Sequence, residues 1–490
     1  MSERRLALCL VVALTIARSL LFVFKSSLAF DSDQAIFGLM AKHIAAGRAF
    51  PLFMYGTSYI LAVEAWLAAP LFLIAGVSVA ALKLPLLAMN VAIAALLVTL
   101  LEREAGLRPR DALFASLFFV LAPPGTATEL LAPIGGNVEP LLYVLLLWLT
   151  RKRPALFGAI LGIGFLQREF TVYGLVALVL VEVASGMRGR ADGRRLLSAL
   201  RVAAEVWLIA QFLRPLASPA GPGTTVADLV TPPNNLANLA GRICFDVHAV
   251  AAGIGRLITV HWPVLFGTKL VPLNTFLIES SVSQGAAWSG AVLAGAFGLM
   301  VICIGANAAR IHRDWMRCRF PVYLVLVGAI SAFVYAAGRC GELAIGTMRY
   351  DLLSVVGAVG IAALFFTIVR AQAPRAAAIA LIVLWAAVST SAHVRLWTEA
   401  LARPTVPDKI LIIRNLEARG IRYAMADYWI AYYTTFMTNE RIIVAADDIG
   451  RIPAYERDVL AHRSEAVRIA RTPCGGRRPV IEGVYFCPLE

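Results

Sequence analysis

The sequence predicts a polytopic α-helical membrane protein with a small α/β domain after its last apolar segment, and three observations predict it. Of the 490 residues, 59% are apolar and 16% charged, whereas soluble domains sit nearer half and a quarter. The apolar residues fall in runs, several of them near the ~20 residues that cross a bilayer. After about residue 393 the composition changes, and 14 basic and 12 acidic residues restore a water-soluble balance. These features exclude a soluble enzyme, a disordered chain and a disulfide-stapled mini-protein.

Twelve apolar segments are candidates: 6–24, 58–76, 82–100, 112–122, 138–149, 155–167, 170–184, 202–217, 286–306, 320–337, 352–368 and 376–392. Basic blocks separate them. They lie at the N-terminus (Glu3 to Arg5), 101–111, Arg151–Arg153, 188–201, 310–319 and 370–375, and hold 19 basic against six acidic residues. Their surplus of +13 is nearly all of the net charge of +14. Short basic loops stay cytoplasmic, so the charge reads as a topology signal, aided by anionic membrane lipid, and not as a nucleic-acid surface. The loops 25–57, 123–138, 168–169, 218–285 and 338–351 then face outward with the tail. An inner N-terminus and an outer tail require an odd number of spans. Segment 58–76 is out of phase, so the expected count is 11, with 13 as the alternative. The division is a membrane module, 1–392, and an extracytoplasmic α/β domain, 393–490. The first apolar run ends at Lys25 and reads as a retained anchor.

The first outer loop opens Phe30-Asp31-Ser32-Asp33-Gln34. Two carboxylates one residue apart read either as solvated and capping acids or as a base or metal pair beside the bilayer. Residues 34–47 carry apolar positions at Ile36, Phe37, Leu39, Met40 and Ile44, with Lys42 and His43 opposite. That pattern predicts an amphipathic helix on the membrane interface, capped by Asp33. Phe53-Met54-Tyr55-Gly56-Thr57-Ser58-Tyr59 follows, then Glu64 inside an apolar run. An acid at that depth is costly. It reads as functional or as the partner of Arg18 or Arg168.

The stretch FDSDQAIFGLMAKHIAAGRAFPLFMYGTSYILAVEAWLAAPLF resembles the first-loop signature of GT-C integral membrane glycosyltransferases. These are the polyprenyl-phosphate-sugar-dependent enzymes related to protein O-mannosyltransferases and aminoarabinose transferases. The family form is an Asp-Glu pair, an interfacial helix, a Tyr-Gly element and a later Glu. Asp33 matches the Asp and Glu64 the later Glu. Gln34 stands where the pair has Glu, which leaves Asp31 as the second carboxylate. The resemblance implies a GT-C-like fold and a hexosyl- or pentosyltransferase in a cell (inner) membrane. Its donor would be a polyprenyl-phosphate-linked sugar and its acceptor an envelope lipid, glycan or protein. The active site would face the periplasm or exterior. A divalent metal on Asp31 and Asp33 stays open.

That chemistry needs a carboxylate to take the acceptor's proton and cations to hold the departing phosphate. Asp33 is the first choice for the base and Asp31 the second. Arg349, in Gly346-Thr347-Met348-Arg349-Tyr350-Asp351, resembles the family's late signature and is the first choice for the phosphate. Its other reading is an interfacial anchor paired with Asp351. Arg168, beside Glu169, is the second choice or half of an internal salt bridge. Tyr55, Tyr59, Glu64, Asn137, Glu139, Lys269 and Tyr350 are candidate substrate contacts. Gly135-Gly136 reads as a close approach for a sugar or as loop flexibility, and the long loop 218–285 as a lid or a solvated segment. No Walker motif, HExxH, GxSxG or paired CxxC is present, so an ATP-driven pump, a zinc protease of that type and a serine hydrolase lack support. The rival functions are a transporter or flippase of lipid-linked sugars and a non-catalytic envelope-glycan assembly factor.

In the tail, a helix from Asp408 to about Arg419 is expected to end at Gly420. Strands at 421–426 and 441–445 flank an aromatic helix, 428–437. Asp427 and Tyr428 then sit at a strand end, where α/β ligand sites lie. Of seven cysteines, Cys9 and Cys303 fall in spans and Cys318 in an inner loop, while Cys244, Cys340, Cys474 and Cys487 fall outside. A Cys474–Cys487 bridge closes an easy 13-residue loop, and Cys244–Cys340 is a second pairing.

Overall fold

The computed structural model describes residues 2–25, 29–57, 59–186, 190–214, 217, 246–270, 283–284, 287–338, 343–402, 406–475 and 478–489. Cys244, Cys340 and most of the loop 218–285 lie outside them. All twelve apolar segments contain helix. Among the described residues six helices are long and apolar enough to cross a membrane: Glu3–Phe24, Val79–Ala105, Gly193–Leu213, Trp288–Ala306, Trp315–Ala337 and Gln372–Ala402. The 3-10 turn Ile345–Asp351 and the helix Ser354–Ile368, bent by 50°, make a seventh if taken as one span.

Several of the other expected spans are shorter helices. Val63–Ala75, Pro109–Val120, Glu139–Thr150, Pro154–Gln167 and Thr171–Ala184 are helices of 12 to 14 residues. At 1.5 Å per residue they reach about 18–21 Å, short of a hydrocarbon core of about 30 Å. Proline, glycine and charged residues punctuate the sequence before they reach full length. The chain 121–138 between two of them, irregular apart from the short helix Pro124–Glu129, is buried by protein, which is where non-helical chain at that depth is tolerated.

One polar centre of the helical bundle is at Arg18. Arg18 is buried; it donates to the Phe119 carbonyl and, at 2.6 Å, to Asn90 Oδ1. Those partners take both terminal nitrogens, Nε has no hydrogen-bond partner among the described residues, and the expected Arg18–Glu64 pair does not form.

After the 31-residue helix Gln372–Ala402 comes the α/β unit. Its sheet order is β4-β3-β5-β6, built from β3 (Tyr423–Ala426), β4 (Ile443–Ala446), β5 (Val467–Ala470) and β6 (Tyr485–Pro488). The short strands β1 (Lys269–Leu270) and β2 (Ser283–Gln284) pair separately. β3 and β4 are parallel and joined by the helix Tyr428–Met437, the expected β-α-β order. β5 runs parallel to β3, and β6 antiparallel to β5. The helix Asp408–Ala418 starts after Pro407, which occupies the cap position; Asp408 is its first residue and not the cap. Cys474 and Cys487 form a disulfide, and such a 13-residue closure stabilises by roughly 3 kcal/mol in the chain-entropy model.

The first-loop helix is Ser32–Ala45, and its cap is Asp31, whose Oδ1 accepts from Gln34 N at 3.0 Å. Asp33 lies in the first turn. The cap falls two residues earlier than expected because Ser32 and Asp33 already take helical geometry. Nor does the helix lie on an open interface. One face packs on Val63–Ala75 and the other on Tyr428–Met437 of the α/β unit, so Phe30, Ile36, Phe37, Met40, Tyr432 and Phe436 share one apolar core. The two helices approach closely at Gly38, where a Cβ would lie 2.4 Å from the Phe436 ring.

Polar contacts lock the same seam. Ser32 Oγ donates to Trp429 O at 2.9 Å and accepts from Tyr433 N at 3.1 Å. Glu440 takes Lys42 at 2.6 Å, Arg48 at 2.5 Å, His43 Nε2 at 3.0 Å and the Tyr455 hydroxyl at 2.7 Å. Burial alone would raise its pKa, but His43, Lys42 and Arg48 outweigh burial and hold the carboxyl well below its usual range. Its stabilisation is therefore complete above the unfolded value near 4.5 and is lost as the pH falls below it. Glu440→Ala leaves these cations facing a gap and is expected to weaken docking by about 2–4 kcal/mol. Amide exchange in 32–45 and 428–437 should rise in the variant at pH 7 and in wild type on acidification, while exchange in Val79–Ala105 stays unchanged.

Candidate active site

Residues from five places meet at the N-terminal end of the first-loop helix. Asp33 Oδ1 accepts from the Tyr428 hydroxyl at 2.5 Å, and its Oδ2 lies 3.7 Å from Arg349 Nη1. Asp33 and Arg349 side chains are 20% and 23% exposed, so the pair is reachable from solvent yet partly desolvated. The carboxylate also sits in the first turn of a helix, where the exposed N–H groups favour negative charge. Burial and the Asp33 carboxylate push the Tyr428 hydroxyl well above its usual range, so Tyr428 remains a donor. Tyr428 is placed because Asp427 caps its helix, accepting from Trp429 N at 2.9 Å and Ile430 N at 3.1 Å.

Arg349 lies on the 3-10 turn Ile345–Asp351. Its guanidinium is 5.4 Å from the centre of the Tyr350 ring, and Arg168 stands 5.7 Å from the same ring. Arg349 does not pair with Asp351. Asp351 is fully buried and accepts from Trp262 Nε1 at 3.0 Å, Ser331 Oγ at 3.1 Å and Ser354 Oγ at 2.8 Å. These bonds anchor the turn and leave Arg349 toward Asp33. Arg349 Nε is buried and donates to no acceptor among the described residues.

Arg168 gives its Nε to Gly135 O at 2.6 Å, so its partner is a carbonyl and not Glu169. Gly136, at φ +96°, is required there: a Cβ would lie 2.1 Å from Arg168 Cγ. Gly135-Gly136 is thus a buried close approach between backbone and an arginine. Glu64 is fully buried and accepts from Gly135 N at 2.8 Å and from Gln167 Nε2 at 3.4 Å, and its carboxyl interacts electrostatically with that of Glu139. Asn137 donates to Glu129 Oε2 at 2.8 Å. Tyr55 is buried with its hydroxyl 2.9 Å from His43 Nδ1, Tyr59 is 36% exposed, and Lys269 donates to Thr259 O at 2.7 Å. The structure therefore brings Asp31, Asp33, Arg349 and Tyr350 together and places Arg168 behind Tyr350. Tyr55 belongs to the docking seam, and Lys269 to the segment that follows Thr259.

Sequence reasoning missed three charged groups here. Glu129 ends the short helix Pro124–Glu129 and is buried. Lys83, fully buried, donates to Phe22 O at 3.2 Å, and its charge acts on Asp31 and Glu129. Lys409 sits 5.0 Å from the centre of the Tyr433 ring, with burial lowering its pKa and Asp31 and Asp427 opposing that. Lone charges in apolar runs were the available signal for Glu129 and Lys83; Lys409 carried none. Desolvation and Asp33 raise the Asp31 carboxyl. Burial raises Glu129 to about 7, with Arg349 opposing. The cluster thus pairs three carboxyls with three cations around one accessible carboxylate. Among the described residues no three ligating side chains converge as a metal set, and both Asp33 oxygens face protein partners, so no chemical step is drawn through a metal.

No protein-family model matches the chain, and no curated protein sequence matches it. Solved structures do. The apo crystal structure of the oligosaccharyltransferase of Archaeoglobus fulgidus matches at TM-score 0.51 with 12% identity, over 95% of this chain and 69% of that one. The same organism's AglB, in complex with an inhibitory peptide and a dolichol-phosphate, matches at 0.50 and 14% over the same shares. ArnT from Cupriavidus metallidurans matches at 0.40 and 11%, over 93% and 92%. At such identities the likeness to AglB is one of fold. The chain shares the fold of these archaeal oligosaccharyltransferase structures.

Because Glu129 holds its proton until about pH 7 instead of near 4.5, a protonated-carboxyl infrared band should disappear between pH 6 and 8. Glu129→Gln should remove that change and leave the rest of the pH difference spectrum intact.

Proposed function

We propose that the protein is a membrane glycosyltransferase that moves a sugar from a polyprenyl-phosphate donor to an envelope acceptor at the outer face of the membrane. The observation that carries the proposal is the Asp33–Arg349 pair, in which a reachable carboxylate faces an arginine whose buried Nε lacks an acceptor among the described residues. The fold supports the donor class, since AglB of the same architecture is known in complex with a dolichol-phosphate.

The chemistry follows from the placement. An acceptor nucleophile attacks the anomeric carbon, the carbon–oxygen bond to phosphate breaks, and the bonding electrons leave with the phosphate. Asp33 takes the nucleophile's proton, with Tyr428 holding Oδ1 so that Oδ2 is the working oxygen. Arg349 receives the negative charge that develops on the leaving phosphate, and a guanidinium fork suits two of its oxygens. Tyr350 and Arg168 back the arginine. Glu129 sets the local charge: above about pH 7 it adds a negative charge beside Arg349 and competes with the phosphate.

The test is sugar turnover by the purified protein with a panel of polyprenyl-phosphate sugars. Asp33→Asn should fold and dock normally but turn over at least about 10²-fold more slowly. Near-normal turnover would remove Asp33 from the role, and the same loss in Asp31→Asn alone would move it there. Arg349→Lys should raise the donor concentration needed for half-maximal rate, because lysine lacks the bidentate geometry. An unchanged donor dependence in Arg349→Ala would reduce Arg349 to an anchor of the turn.

A further inference from the structure

The basic blocks read in the sequence as orientation signals converge in space. Residues from 106–114, 317 and 366–379 line one cavity of about 530 Å³. Arg108, Arg110, Arg317, Arg370 and Arg375 surround it, against Asp111 in its wall and Asp314 at its edge. Five guanidinium groups face two carboxylates, a surplus of three positive charges. The helices that border it place it far from Asp33. Ser354–Ile368 begins beside the Arg349 turn and ends at the cavity, and Pro109–Val120 begins at the cavity and ends beside the Glu129 loop. Those helices are about 18–22 Å long, so the cavity opens at the opposite end of the bundle.

The arginines are held in place. Arg375 reaches Asp111 Oδ2 at 2.7 Å and the carbonyls of Phe366 and Val369 at 2.7 and 2.9 Å. Arg108 reaches Asp111 Oδ2 at 2.9 Å, and Arg317 donates to the Ala105 and Gly106 carbonyls. Arg110 and Arg370 are looser: their nearest acids stand at 3.9 and 3.7 Å, and their side chains are 55% and 73% exposed. Asp111 is 2% exposed, and its Oδ1 accepts no hydrogen bond. Phe114 and Ile379 add an apolar wall on helices of the bundle.

We propose that this cavity binds the headgroup of an anionic glycerophospholipid. Its phosphodiester sits between Arg110 and Arg370, a headgroup hydroxyl donates to Asp111 Oδ1, and the acyl chains follow Phe114 and Ile379. The three basic blocks place it at the cytoplasmic leaflet, whose anionic lipids attract clustered arginine. The apolar wall favours a lipid over a free phosphate of the same chemistry. The inference stands independently of the reaction proposed at Asp33.

The experiment is native mass spectrometry of the full-length protein with equal amounts of phosphatidylglycerol and phosphatidylcholine. Wild type should retain phosphatidylglycerol on the order of tenfold better. The double substitution Arg110→Gln/Arg370→Gln should bring the ratio close to one, while Arg110→Lys/Arg370→Lys keeps most of the preference and so reports that the fold is intact. Arg395→Gln, exposed and outside the cavity, should leave the ratio unchanged. Equal retention of both lipids by wild type would overturn the proposal, as would a preference that survives the double glutamine substitution. Full displacement of the lipid by millimolar glycerol 1-phosphate would assign the cavity to a soluble phosphate and overturn the lipid reading.

Discussion

The first-loop helix is buried on both faces, and the rest of the site depends on that constraint. A helix with Phe37 and Met40 against the membrane module and Gly38 against Phe436 cannot shift without opening one core or the other. Its N-terminal turn, and with it Asp33, is fixed at the seam between the membrane module and the α/β unit. The seam is closed at both ends of the helix, by Ser32 with the Trp429–Tyr433 backbone and by Lys42, His43 and Arg48 with Glu440. Asp33 thus belongs to one unit and its hydroxyl partner, Tyr428, to the other.

The electrostatics follow from the packing. Burial alone would neutralise acids in this place, and Asp31 and Glu129 are in fact pushed upward. Asp33 keeps partial exposure and two partners, Tyr428 and Arg349. One carboxylate among three is therefore reachable and held by a hydroxyl and an arginine, a difference set by depth and neighbours and not by residue type. Asp351 supports it from behind, since its three hydrogen bonds fix the turn that carries Arg349.

Much of this was legible in the sequence because local physics fixes it. The apolar runs, the β-α-β order and the acidic first loop depend on neighbours in the chain. The cap was misassigned to Asp33 because the helical pattern of 34–47 does not show that Ser32 and Asp33 already take helical geometry. The partners of Glu64 were misassigned because Gly135 N, a backbone group, does not announce itself in a sequence. Glu440 was invisible for a different reason: its cations stand about 400 residues away along the chain. Length was not legible in the apolar runs, where several helices stop at 12 to 14 residues.

The central claim is that Tyr428 acts through Asp33 across the seam. A double-mutant cycle on sugar turnover tests it directly, with Tyr428→Phe measured in wild type and in Asp33→Asn. If the hydroxyl orients the base, Tyr428→Phe slows turnover in the wild-type background and has no further effect once Asp33 is gone. Equal, additive losses in both backgrounds would show that the two residues act separately and would contradict the account.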